Sequence, residues 1–140
     1  MANTSLNTLP IYTASADTQW VGGVTVANTT KDLTSGTAYL VFTAASNGGY
    51  VQRIRFRPQG SNAVTVARVF LNNGGVTGTT ANNILWDEIT LPATSNSETS
   101  ALPTYELPLN FALPAGYRIF VTLGTVVVGG YSVTVIGGKY

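Results

Sequence analysis

The sequence predicts an all-β protein folded as an antiparallel sandwich, and composition is the first reason. The chain has 140 residues, of which 21 are Thr, 15 are Val and 6 are Ile. These β-branched side chains pack better on a pleated sheet than on a helix. Several windows also alternate with a period of two, and none carries a convincing helical stripe. A chain of this length is expected to form one domain.

Eight windows are predicted to be strands, because each is rich in β-branched or aromatic residues and most alternate. In chain order they are residues 20–26, 37–44, 50–57, 63–71, 84–91, 105–111, 117–123 and 131–136. In the second window the alternation places Leu40 and Phe42 on one face and Val41 on the other. Pro108 lacks an amide hydrogen, so its window is predicted to lie at a sheet edge.

Turn residues separate these windows and indicate how the strands are arranged. Asn47-Gly48 and Asn73-Gly74 supply the positive φ angles that tight turns need. Eight short strands, with a long connection at residues 92–104, favour a jelly roll of two four-stranded sheets. An immunoglobulin-like sandwich stays open as an alternative, since periodicity does not reveal strand order. The sandwich domain is predicted to span residues 20–140.

Residues 1–19 are predicted to form an extended N-terminal arm. They are rich in Thr, Ser and Asn and alternate only around Ile11 and Tyr12. A polar terminus of this kind needs something to hold it in place. A partner chain is one candidate, with Leu9, Ile11 and Tyr12 as the contact residues, and an edge strand of the same chain is the other.

Composition excludes most of the familiar catalytic and binding classes. The chain contains no Cys and no His, which removes Ser-His and Cys-His nucleophiles and the usual zinc sites, and no cofactor is predicted. Charged residues make up 9% and the net charge is +1, so neither nucleic acid nor an anionic membrane is an expected partner. The first residues lack a basic start and an apolar segment, so no secretory signal is predicted and assembly in the cytoplasm is expected.

The carboxylates do not predict an enzyme. Asp87 and Glu88 are neighbours in a strand and point to opposite faces, so they cannot share one substrate atom. Asp87 with Glu98 or Glu106 could span a glycosidic bond, but any six acidic residues offer such a pair. Pairing of Asp87 with an arginine, on the face predicted for Leu85, is the simpler expectation.

Arg53, Arg55 and Arg57 form the one concentration of charge. Their spacing of two projects all three guanidinium groups from one face of a strand, opposite Ile54 and Phe56. This row could bind carboxylates on a partner surface. The alternative is a solvated face that discourages unwanted strand pairing.

Aromatic residues on the outer strand faces predict that these faces are covered by another part of the assembly. Trp86 and Phe120 each lie on the more polar face of a strand whose other face is also apolar. A near-neutral sandwich covers such faces by forming oligomers, so both residues are predicted to contact a partner. Stacking of sugar rings on Trp20 or Trp86, as in a carbohydrate-binding module, is the alternative function.

A resemblance to a known family covers residues 50–140. The segments VQRIRFRPQGSNAVTVARVFLNNG, LWDEITLPATS, ELPLNFALPAGYRIFVTLGT and GGYSVTVIGGKY resemble the jelly-roll decoration (cement) proteins of tailed bacteriophages. The resemblance implies a homo-oligomer, with a trimer favoured, that clamps junctions between major capsid proteins on the virion surface. It implies no cofactor and no enzymatic turnover, and it transfers no catalytic residue.

Overall fold

The computed structural model describes residues 13–140, which fold into two packed antiparallel sheets. The strands are β1 Ser15–Ala16, β2 Gln19–Val24, β3 Tyr39–Thr43, β4 Gly49–Pro58, β5 Thr65–Asn72, β6 Asn83–Leu91, β7 Tyr105–Leu113, β8 Arg118–Leu123 and β9 Tyr131–Lys139. A three-residue 3₁₀ helix, Thr80–Asn82, precedes β6. Residues 13–140 contain no helix with the length and hydropathy of a membrane span. All eight predicted strands are present, which confirms the all-β sandwich.

Each sheet has four main strands. The first sheet, sheet A, has the order β2-β9-β4-β7, and β1 pairs with the far end of β9. The second sheet, sheet B, has the order β3-β8-β5-β6. β7, which contains Pro108, is an edge strand as predicted. β5 and β6 are the only consecutive main strands of residues 13–140 that are neighbours in one sheet, whereas an immunoglobulin sandwich has several such hairpins.

The core lies between the sheets and is built by alternate residues of the central strands. The fully buried apolar members of β4 and β8 are Val51, Ile54, Phe56, Ile119, Val121 and Leu123. Removing each of these side chains from water contributes roughly 1.5–3 kcal/mol. On β4 the residues between the core members include Arg53, Arg55 and Arg57, which lie on the outer face of sheet A. On β8 the residues between the core members, Phe120 and Thr122, are buried as well.

Bulges change the faces that simple alternation predicts. In β3 the register shifts between Leu40 and Phe42, so Val41 and Phe42 are both buried while Leu40 is 45% exposed. The prediction that Leu40 and Phe42 share a face is therefore wrong. In β6 the register shifts between the partners of Val69 and Phe70. A bulge inserts one extra residue on one strand, and that residue reverses the faces beyond it.

The described part of the arm runs along the edge of sheet A. Ser15 and Ala16 pair with Lys139 and Gly138 of β9, and β2 begins at Gln19. The same chain therefore holds residues 15–16, which was the second of the two sequence alternatives. The predicted contact residues Leu9, Ile11 and Tyr12 lie outside the described residues.

Any side chain at Gly48 is expected to destabilise the turn that contains it. The φ of Gly48 is +88°, as predicted for Asn47-Gly48, and a Cβ there would lie 2.7 Å from the carbonyl oxygen of Leu113. Left-handed backbone costs a residue with a side chain about 1–2 kcal/mol, and the close contact adds to this cost. We expect Gly48→Ala to lower the free energy of unfolding by at least about 2 kcal/mol, measured by denaturant titration.

Gly22→Ala is the matched control for that substitution. A Cβ at Gly22 would meet no atom within 4 Å, and its φ lies outside the left-handed region. Its effect should stay within about 1 kcal/mol and favour the folded state. Equal stabilities of the two variants would contradict this account of the turn.

Candidate functional site

The arginine row lies on the outer face of sheet A, as predicted. Arg53, Arg55 and Arg57 of β4 are all on the opposite side from the buried Ile54 and Phe56. On β9 they face Ile136, Thr134 and Ser132 respectively, in regular register. The spacing of two therefore produces the row, and sheet pairing aligns it with small side chains on the next strand.

Two members of the row are already engaged by the chain itself. Nε of Arg53 lies 3.4 Å from a carboxylate oxygen of Glu106 on β7. Arg57 donates hydrogen bonds to the carbonyl oxygen of Leu102 at 2.6 Å and to Oγ1 of Thr104 at 3.1 Å. The latter bonds fix the end of the β6–β7 connection against the sheet. Both arginines thus have contacts within the chain, and their binding to a partner stays a prediction.

Arg55 differs from its two neighbours. Within residues 13–140 its side chain makes no hydrogen bond or ion pair, and it is exposed. It pairs across β9 with Thr134, which in turn pairs with Trp20 of β2, and Trp20 is 71% exposed. We call this surface the Trp20–Arg55 platform. It includes a shallow depression of about 570 Å³, lined by Thr18, Arg55, Arg57, Ser132, Thr134 and Ile136. Trp20 is not part of this lining, but it pairs with Thr134, which is.

Phe120 is covered by its own chain. It lies on the outer face of sheet B in a cluster with Phe70 and Leu33, and it is only 7% exposed. Leu33 belongs to the β2–β3 connection, residues 25–38, which crosses this face. Leu33 adopts a φ of 61°, an unfavourable value for a residue with a side chain. Phe120 lies on the outer face and is covered, as predicted, but the cover in the described residues is this connection of the same chain. Its contact with a partner stays a prediction.

Polar contacts hold that connection on sheet B. Nδ2 of Asn28 donates to the carbonyl oxygens of Ser35 and Thr37 at 2.9 and 3.0 Å. Nδ2 of Asn83 on β6 donates to the carbonyl oxygen of Asp32 at 2.9 Å. These bonds satisfy carbonyl groups that a loop lying on an apolar face would otherwise leave unpaired.

Trp86 packs against another aromatic residue and is also partly exposed. Its ring lies 5.0 Å from that of Phe111 on β7, at an interplanar angle of 60°. β6 and β7 are the edge strands of the two sheets, so this tilted pair bridges one side of the sandwich. The side chain keeps 47% of its surface exposed. Its role in contacting a partner stays a prediction.

Glu88 and Asp87 are engaged in local contacts. Glu88 lies opposite Arg68 on β5, and their side chains form an ion pair at 2.7 Å, with Lys31 at 3.6 Å. These contacts, Arg68 first, hold the pKa of Glu88 below its usual value. Asp87 instead accepts a hydrogen bond from the amide of Glu88 at 2.7 Å. The prediction that Asp87 pairs with an arginine is therefore wrong, because the arginine, Arg68, pairs with Glu88.

The β6 bulge explains that difference. Leu85 pairs with Phe70 on the outer face, whereas Asp87 pairs with Val69, which is buried. Asp87 and Leu85 consequently do not share a face, contrary to the alternation that predicted it. Among residues 13–140, no three Asp or Glu side chains gather in a group that could hold a metal ion.

A patch of four exposed valines was not singled out from the sequence. Val26, Val64, Val126 and Val128 lie in three connections at one end of the sandwich, and Val128 is 91% exposed. We call this patch the valine end. The segment TVVVGG could have indicated this patch, because it places three valines in a predicted turn and valine does not favour turn formation.

Hydrogen bonds join the three connections of the valine end. Oγ1 of Thr125 donates to the carbonyl oxygen of Val64 at 3.0 Å, and the amide of Val127 donates to the carbonyl oxygen of Thr25 at 3.0 Å. Val127 itself is buried. Anchoring of Val127 leaves its two neighbours, Val126 and Val128, on the surface.

Comparison with known proteins does not assign a function to these surfaces. Comparison with protein-family models, curated proteins and solved structures gives no match to the chain. Two exposed surfaces of the described residues thus call for an explanation. One is the Trp20–Arg55 platform on the face of sheet A, and the other is the valine end.

Proposed function

We propose that the chain is a non-enzymatic structural protein of a virion, which decorates a phage capsid as a homo-oligomer, with a trimer favoured. In this proposal the sandwich is a jelly roll. The strand orders β2-β9-β4-β7 and β3-β8-β5-β6 support that subdivision, because connections cross repeatedly from one sheet to the other as in paired Greek keys. The resemblance over residues 50–140 supports the same family.

The valine end is the observation that carries the proposal. Four valines exposed in one area are not needed to form the turns, and their surface is costly to leave in water. Each such side chain contributes up to roughly 1.5 kcal/mol when a partner covers it. The hydrogen bonds among the connections hold the patch in shape before binding, which lowers the entropy lost on association.

Binding across junctions of major capsid proteins would follow from repetition. An oligomer presents one valine end per subunit, and a capsid lattice presents matching sites at fixed spacing. Modest contacts made by each subunit then combine into slow dissociation of the whole oligomer. Trp86 and the arm residues Leu9, Ile11 and Tyr12 are the proposed additional contacts with subunits or shell.

The solution mass and capsid binding of the purified chain test this function. We expect light scattering to give a small integral multiple of 14.7 kDa, three in the favoured case. After mixing with capsids that lack the protein, we expect it to sediment with them and to stay bound through washing. A monomeric mass together with absence from the capsid pellet would exclude the decoration role. If deletion of residues 1–17 leaves capsid occupancy unchanged, the arm does not contribute to capsid binding.

A further inference from the structure

The Trp20–Arg55 platform combines three chemical features in one row across sheet A. Trp20, Thr134 and Arg55 lie side by side on β2, β9 and β4. Neighbouring strands are about 4.8 Å apart, so the Cα atoms of Trp20 and Arg55 are about 10 Å apart. The short side chain of Thr134 lies between them. The row therefore has a flat apolar group at one side, a cation at the other and a space over Thr134.

The surroundings of Trp20 leave its ring accessible. Gly22, two residues further along β2, has no side chain, and a Cβ there would meet no atom within 4 Å. Thr18, two residues before Trp20, lines the depression with a hydroxyl-bearing side chain. An interface with another protein usually surrounds such a tryptophan with further apolar groups. Here Gly22 and the hydroxyl-bearing Thr18, Ser132 and Thr134 lie nearby, and Ile136 is the apolar side chain in the lining of the depression.

The charge of the platform comes from Arg55, whose guanidinium makes no hydrogen bond or ion pair with any residue in 13–140. Arg55 pairs in register with Glu106 on β7, but the carboxylate of Glu106 contacts Arg53 at 3.4 Å. Arg57, also at the depression, is held by Leu102 and Thr104. One planar cation is thus available for a planar anion, and a carboxylate can accept two parallel hydrogen bonds from it.

We propose that this platform binds an acidic sugar, a pyranose that carries a carboxylate, at the surface of a glycan. The apolar face of the sugar ring packs on Trp20, as aromatic side chains bury flat apolar surface. The carboxylate pairs with Arg55, and the ring hydroxyls bond to those of Thr134, Ser132 and Thr18. A site of this kind uses one apolar wall and a few placed polar groups. It goes beyond the decoration role and does not depend on it.

The test is titration of the full chain with sugars that differ in charge, followed by ligand-observed NMR. The probes are 3′-sialyllactose and trigalacturonic acid, with lactose as the neutral sugar. We expect dissociation constants of about 1 mM for the acidic sugars. Trp20→Ala and Arg55→Gln should each weaken binding at least about tenfold without changing the melting temperature, since both side chains are exposed.

Trp86→Ala and Arg53→Gln are the matched controls and should leave binding of the acidic sugars unchanged. If lactose binds as tightly as the acidic sugars, the proposal that the ligand carries a carboxylate is wrong. If binding depends on Trp86 instead of Trp20, the proposed position of the site is wrong. No sugar binding, together with Trp20-dependent binding of polyglutamate, would show an acidic protein segment to be the ligand and overturn the proposal. Capsid retention of Trp20→Ala is measured in parallel, so the two functions are judged separately.

Discussion

Replacing Phe120 by alanine is expected to lower the free energy of unfolding by about 3–5 kcal/mol, the usual loss for a buried phenylalanine. Phe120 packs against Phe70 and Leu33, and the connection that carries Leu33 seals this part of sheet B. The substitution leaves a cavity under a loop that has few other apolar anchors. Denaturant titration at a fixed protein concentration measures the effect, because any oligomer makes stability concentration-dependent.

Leu40→Ala is the control, since Leu40 is the cross-strand partner of Phe120 on β3 but is half exposed. It should cost less than about 1 kcal/mol. A double-mutant cycle of Phe120→Ala with Leu33→Ala should give a coupling of about 0.5–3 kcal/mol, because the two side chains are in contact. A small loss of stability for Phe120→Ala, accompanied by loss of oligomers, would instead support the partner contact that the sequence predicted.

Strand positions could be predicted from the sequence because a period of two is a local property. The faces of whole strands could not, since a bulge depends on the partner strand. Val41 illustrates this point: one extra residue in β3 buries both it and Phe42 and exposes Leu40. The same effect in β6 separates Asp87 from Leu85.

The candidate surfaces depend on strand order, which periodicity does not contain. Trp20 and Arg55 are 35 positions apart in the chain and meet only because β9 lies between β2 and β4. The arginine row was visible in the sequence, yet which of its members lacks a contact within residues 13–140 depends on Glu106 and the β6–β7 connection. Leu33 was the one detectable sign of the covering loop, a lone leucine in the polar stretch ANTTKDLTSGT.

Replacing Val126 and Val128 together by serine is expected to release the protein from capsids. The two side chains are exposed by 64% and 91%, so their loss should leave the free chain folded and the melting temperature nearly unchanged. If a capsid surface covers them, the loss is about 3 kcal/mol per subunit, which is roughly 100-fold in affinity. Repetition over an oligomer multiplies the effect. Co-sedimentation with capsids over a range of protein concentrations measures it.

Val76→Ser provides the comparison for that double variant. Val76 is also highly exposed, but it lies in the connection between β5 and β6, at the end of β5 opposite Val64. The eight residues of β5 separate the two ends by about 25 Å. Its replacement should leave capsid retention intact if only the valine end faces the shell. Retention of the Val126 and Val128 double variant at wild-type level would contradict that orientation, because a contact surface cannot lose its most exposed apolar groups without weaker binding.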